Sequence, residues 1–187
     1  MNLKELKALK NDKSLFKSYF YRDELMRDWS YYGESIFETM TVNEVSKALI
    51  SLVNWSQRKN DYELLDSMKN LYRPGDICFI ELGLPYADED GYQRLCLIVS
   101  KTNEKLLIVP MANNKTYYDE AIKYHSPGYM PFPENEQIGG RYISPKTTLL
   151  LNDLNFVSPI RVIRPIGHID EKAELFLEIK KRIKEMI

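Results

Sequence analysis

Arg94 is the residue whose setting most suggests chemistry. It follows the loop Gly83-Leu84-Pro85-Tyr86-Ala87-Asp88-Glu89-Asp90-Gly91 and opens an apolar run. An arginine at such a junction can turn its planar fork into a cleft, where paired N–H donors match phosphate oxygens. The plainer alternative is a surface arginine paired to Glu89 or Asp90. Other groupings are weaker. His125 and His168 would form a metal or acid–base pair only if folding joined them; a structural hydrogen bond near the last helix is the blander reading of His168. The carboxylates Asp88-Glu89-Asp90 read as a solvated turn before they read as a metal site. The sequence has no P-loop, GxGxxG, HExxH or GxSxG pattern.

Two kinds of element must position these groups. Up to residue 71 the pattern is helical, with no proline before Pro74 and Gly33 the only glycine before Gly75. Leu15, Phe16, Tyr19, Phe20, Leu25 and Met26 recur near helical spacing, and Gly33 allows a break. Thr41-Val42-Asn43-Glu44 has the form of a capping box, after which Val45, Leu49, Leu52 and Val53 mark one face. Leu64, Leu65 and Met68 continue it. A helical hairpin or small bundle is expected over 1–71.

Arg73-Pro74-Gly75-Asp76 ends that pattern. Strands are expected at 77–82, 94–100 and 106–111, the last two joined by the short polar connection 101–105. Residues 113–146, rich in proline and glycine, read as a long irregular stretch. Strands at 147–151 and 160–163 and an amphipathic helix over 171–187 complete the chain. Strands clustered between helices give an α+β class with a small barrel, and two regions, 1–71 and 72–187.

Composition narrows the function. Lys plus Arg is 26 against 27 Asp plus Glu, net charge -1, so there is no broad basic footprint for duplex DNA. Nucleic-acid binding would need a local groove. The 13 tyrosines could stack single-stranded bases, although packing explains most of them. No apolar run reaches the roughly 18 residues of a membrane span, and the first residues lack an apolar signal core. The two cysteines, Cys78 and Cys96, lie in apolar runs and read as small buried hydrophobes. A soluble, cytoplasmic protein is expected.

Four segments, in order, resemble the MazF/PemK (CcdB-like) toxin family. Arg73-Pro74-Gly75-Asp76-Ile77-Cys78-Phe79 resembles its opening strand. Glu89-Asp90-Gly91-Tyr92-Gln93-Arg94 resembles its acidic-x-Gly/Ala-x-x-Arg loop. Leu107-Ile108-Val109-Pro110-Met111 is similar to its third strand, an apolar run ending in Val-Pro. Arg161 through Asp170 resembles its closing strand and the turn into the last helix. Order and spacing agree over roughly 73–114 and 147–187, leaving the helical front and an insertion at about 115–146 as additions.

The resemblance implies an SH3-like β-barrel with a C-terminal helix, a homodimer, and a toxin neutralised by a cognate antitoxin. It implies metal-independent cleavage of single-stranded RNA, with no cofactor. The RNA 2′-hydroxyl attacks the adjacent phosphorus, which makes the activity RNA-specific. Arg94 matches the family's catalytic arginine, and Glu89 and Gly91 match the loop before it. The chain departs from the family at Leu95, where proline is usual, and at Ala112, where a catalytic threonine is common. Asn113 and Asn114 follow and can hydrogen-bond a phosphate. Near the fourth strand, where family members carry an acidic residue or Gln and then Arg, this chain has Asn152-Asp153-Leu154-Asn155. Asp153 is therefore a candidate base, with a loop-facing or core-edge carboxylate as the alternative. Lys115 and Tyr117 open the insertion and could supply charge and a base-stacking wall. The catalytic candidates are thus Arg94, Asn113 and Asp153, and the substrate-binding candidates Glu89, Gly91, Asn114, Lys115 and Tyr117. A relative that binds RNA or protein without catalysis is the second reading; a globular protein sharing only the fold is the third.

Overall fold

The structure, a computed structural model, describes residues 3–9, 16–85, 91–102, 104–133, 137–138 and 141–186. The chain divides into two compact units, 1–46 and 47–187.

The first unit holds α1 (Leu3–Ala8), α2 (Arg22–Phe37) and the start of α3 (Val42–Arg58). Gly33 does not break α2; it stays inside the helix with nothing within 4 Å of where a Cβ would stand. The break falls at 38–41, and the capping box restarts the chain there. Glu44 N–H donates to Thr41 Oγ1 at 3.3 Å, and Thr41 N–H donates to Glu44 Oε2 at 2.7 Å.

The second unit begins inside α3. The reason is packing: Met68 and Tyr72, on and just after α4 (Tyr62–Met68), are buried with Cys78, Ile80, Cys96 and Ile98 in one core cluster. Arg58 at the end of α3 donates through Nη1 to the carbonyls of Ile160 (3.2 Å) and Val162 (2.9 Å).

The strands are β1 (Asp76–Glu81), β2 (Gln93–Lys101), β3 (Leu106–Asn113), β4 (Tyr129–Pro131), β5 (Gln137–Ile138), β6 (Arg141–Tyr142), β7 (Thr147–Leu150), β8 (Asn155–Val157) and β9 (Val162–His168). The main sheet is antiparallel in the order β4-β7-β3-β2-β1-β9, and β8 pairs with the start of β3. Among the described strands no ladder joins β4 to β9, so the sheet is open where a closed barrel was expected. The inserted segment supplies β4, which takes the outer side of β7. β7 covers Met111 to Asn113 of β3 and β8 covers Leu106 to Ile108. Pro110, which has no N–H to give, falls in the gap between them. The last strand starts at Val162 after a 3-10 turn, Pro159–Arg161, and tolerates Pro165 because it is an edge.

Alternation along β2 sorts the two cores. Leu97 and Val99 join Val109, Met111 and Leu149 under α6 (Glu174–Met186), which contributes Phe176, Ile179 and Ile183 at helical spacing. Cys96 and Ile98 face the opposite way, toward α4. Burial on both faces explains why β1 to β3 read as continuous apolar runs. Each fully buried large side chain stabilises by about 1.5–3 kcal/mol.

The segment 115–146 is not irregular throughout. Asn114 caps α5 (Lys115–Lys123), its Oδ1 accepting from Thr116 N–H at 2.8 Å. The hairpin-like pair β5–β6 follows β4.

Candidate functional site

Arg94 stands near the start of β2, opposite Ile80 of β1. It is half-buried, and its Nε donates to the Gly91 carbonyl at 3.3 Å. Gly91 is fixed by close approach. A Cβ at this position would meet ring atoms of Pro85 at 2.5–2.8 Å, and a proline ring cannot swing aside. Leu82 N–H donates to Tyr92 O at 2.7 Å and closes the base of the loop. Sequence thus places Gly91 and Arg94 together, and the structure joins them by a hydrogen bond. Glu89 lies outside the described residues.

The adjacent rung pairs Glu81 with Gln93. Glu81 is only 6% exposed, and four donors converge on its carboxylate. Oε1 accepts from Ser51 Oγ (2.7 Å) and Gly83 N–H (3.0 Å); Oε2 accepts from Asn54 Nδ2 (2.9 Å) and Gln93 Nε2 (2.6 Å). Burial pushes the carboxyl up, but the hydrogen bonds from Asn54, Gln93, Ser51 and Gly83 outweigh it and hold it below the ordinary range. Glu81 is therefore a satisfied anion that ties α3 to the Arg94 end of the sheet, and a poor proton acceptor.

Beside Glu81 opens a cleft of about 350 Å³ lined by Trp55, Arg58, Lys59, Leu84 and Arg161 among others. Arg161 donates through Nη1 to the carbonyls of Glu81 (3.1 Å) and Leu82 (3.0 Å). Trp55 is half-exposed, with Lys59 Nζ 4.2 Å from its ring centroid.

The remaining candidates lie elsewhere. Ladder alternation sets Arg94 on the face of Cys96 and Ile98, and Asn113 on the face of Met111. Asn113 lines a second cleft of about 250 Å³ with Leu95, Met111, Ser144 and Thr147, and its Nδ2 donates to Ser144 Oγ at 2.8 Å. Asn114 is the helix cap, and Lys115 is exposed at the first turn of α5. Tyr117 stacks on Tyr129, centroids 5.3 Å apart and planes 13° apart. Ala112 is buried opposite Thr148 of β7, whose hydroxyl donates to Lys146 O at 3.5 Å and is itself buried. Asp153 ends a 3-10 turn, Leu151–Asp153, rather than lying on a strand. The turn falls between the Met111–Leu149 and Ile108–Asn155 pairs. That is on the order of 10 Å along β3 from the rung of Arg94, at about 3.3 Å per residue.

His168 makes the structural contact expected of it: Nδ1 lies 2.8 Å from Asp76 Oδ1, and the two residues are paired across β1 and β9. Cys78 and Cys96 are fully buried, and burial pushes the Cys78 thiol up to about 12, with the nearby Asp76 charge adding to it. Neither cysteine is a nucleophile in this state. Among the described residues no three His, Cys, Asp or Glu side chains are grouped to hold a metal, and no helix is long and apolar enough to cross a membrane.

The sequence reading missed Ser51, Asn54, Trp55, Arg58, Glu81, Gln93 and Arg161. One signal was present: Ser51, Asn54 and Arg58 fall on one face at i, i+3 and i+7. Their partners could be found only from strand register.

No protein-family model matches the chain, and no curated protein matches it. Among solved structures, the chain is similar to MazF (Form-I) from Deinococcus radiodurans, with 13% identity and a TM-score of 0.44. That match covers 62% of this chain and 94% of the other.

Proposed function

We propose that this chain is a MazF/PemK-type endoribonuclease that cuts single-stranded RNA, with Arg94 holding the scissile phosphate. The setting of Arg94 carries the reading. Its Nε is anchored on Gly91 O, which holds the half-buried guanidinium at the start of β2 beside the loop that the resemblance assigns to the family's catalytic arginine. Of the four sequence segments that resemble the family, one leads into β1, one lies on β3 and one runs along β9 into the turn before α6, and the described part of the remaining one, Gly91 to Arg94, leads into β2. In the reaction the 2′-oxygen attacks phosphorus and loses its proton to a base. The bond to the 5′-oxygen breaks, and an acid protonates that oxygen. The equatorial oxygens gain charge, which a positioned guanidinium stabilises. Tyr117, Lys115 and Asn114 are the proposed strand contacts beyond the phosphate, with Glu89 as a sequence-derived contact and Asp153 as the sequence-derived candidate base; Asn113, a catalytic candidate in the sequence, faces the other side of the sheet from Arg94 and is left out of this site. The SH3-like barrel family's cognate antitoxin, homodimer and cytoplasmic setting belong to the same proposal, and no metal ion enters it.

Three observations favour a second reading. Ala112 presents no hydroxyl, the Thr148 hydroxyl across from it is buried, and Asp153 sits well along β3 from Arg94. Such a chain would bind RNA or a protein at Arg94 without cutting. Incubation with a long unstructured RNA in EDTA, beside Arg94→Ala, separates the two. Site-selective 5′ ends that vanish in a folded Arg94→Ala chain support the enzyme. No cuts by the folded wild type overturn it in favour of the binding module.

A further inference from the structure

We propose that the cleft beside Glu81 is a nucleotide subsite, taking one base–phosphate unit with the base on Trp55 and the phosphate between Arg58 and Arg161. The proposal deepens the reading above and rests on it for the choice of an RNA ligand.

The cleft combines a rigid pair of cations with an aromatic platform. Arg58 and Arg161 each use Nη1 to grip two backbone carbonyls, so both guanidinium planes are set before a ligand arrives. Their hydrogen bonds run through Nη1, leaving the Nε and Nη2 donors of each fork for phosphate oxygens. Lys59 adds a third positive charge along the same wall. Among the described residues that line the cleft the one carboxylate, Glu81, has both oxygens engaged by four donors, which screens its repulsion of an anion. Trp55 offers a half-exposed indole, and a base stacked on it would take the place that Lys59 Nζ holds 4.2 Å from the ring centroid, freeing the ammonium for the phosphate. A volume of about 350 Å³ is within the range of small-molecule sites. The cleft lies at the same end of the sheet as Arg94, Glu81 being one rung from the Ile80–Arg94 pair.

The test is calorimetric titration of the full chain with an uncleavable 2′-O-methyl hexanucleotide, with adenosine 5′-monophosphate and with inorganic phosphate. Wild type is compared with Trp55→Ala and Lys59→Gln, both at exposed positions, with melting curves checking the fold. Trp55→Ala should weaken nucleotide binding about tenfold, with inorganic phosphate binding more weakly than either nucleotide ligand. Loss on the hexanucleotide alone identifies a strand as the source; loss on the monophosphate as well identifies a pocket that also takes free nucleotides. Unchanged affinities in both variants, or inorganic phosphate binding as tightly as the monophosphate, would overturn the subsite. Because the hexanucleotide cannot be cut, a chain that fails to cleave RNA still reports on the cleft.

Discussion

Gln93 Nε2 donates to Glu81 Oε2 at 2.6 Å across the β1–β2 rung beside Arg94, and the same nitrogen reaches Ser51 Oγ at 2.8 Å. One side chain thereby ties two strands to α3. Glu81→Gln keeps the shape but places an NH2 group where two donors already point. At least one donor is then stranded, a cost of about 1–3 kcal/mol for each. Urea denaturation should show a lower midpoint for Glu81→Gln, and an unchanged midpoint would mean that the cluster adds nothing to stability.

The same carboxylate makes stability depend on acid. Its folded value lies below the ordinary 4.5, so below that pH the unfolded chain takes the proton first. The stabilisation is whole above 4.5, declines as pH falls below it, and is gone once the folded carboxyl is itself protonated. Denaturation midpoints measured from neutral pH down to 3 should fall for the wild type and fall less steeply for Glu81→Gln. Parallel curves would assign the acid sensitivity to other groups.

Asn114 has two candidate roles, helix cap and strand contact, and substitution separates them. Asn114→Ala removes the bond to Thr116 N–H and should cost about 1 kcal/mol. Asn114→Ser restores an N-cap oxygen but not the amide. If stability returns in Asn114→Ser while RNA affinity stays reduced, the amide contacts RNA. If both return together, the residue acts only as a cap.

What the sequence disclosed was local. The capping box at Thr41 and Glu44, the strand cores of β1 to β3 and the apolar side of α6 are written in neighbouring residues. The proximity of Gly91 and Arg94 is legible because only three positions along one chain separate them. Asn114 was noticed too, but its cap over α5 was not, because Pro127, Gly128 and Pro131 made the whole stretch look irregular. The facing of Arg94 away from Asn113 depends on the registers of β2 and β3, and a one-residue slip would reverse either. The Glu81 cluster is the extreme case. Ser51 and Asn54 come from α3, Glu81 from β1 and Gln93 from β2, and no spacing in the sequence relates all of them. The placement of α3 and α4 with the sheet likewise turned on Met68 and Tyr72, whose burial among Cys78 and Ile80 only folding reveals.

Gly91 tests whether Arg94 depends on the loop that anchors it. In Gly91→Ala the new methyl group meets the Pro85 ring at 2.5–2.8 Å, so either the loop or the start of β2 must move. Overpacking of this kind costs about 1–3 kcal/mol. It would also displace the carbonyl that receives Arg94 Nε, so RNA cleavage or binding should fall although Arg94 is intact. Pro85→Ala removes the opposing ring. Combined with Gly91→Ala it should recover part of both stability and RNA activity, giving a non-additive cycle as expected for residues in contact. Additive losses would show that the ring contact is not what positions the arginine. Full RNA activity in a destabilised Gly91→Ala chain would show that Arg94 holds its phosphate without the Gly91 anchor.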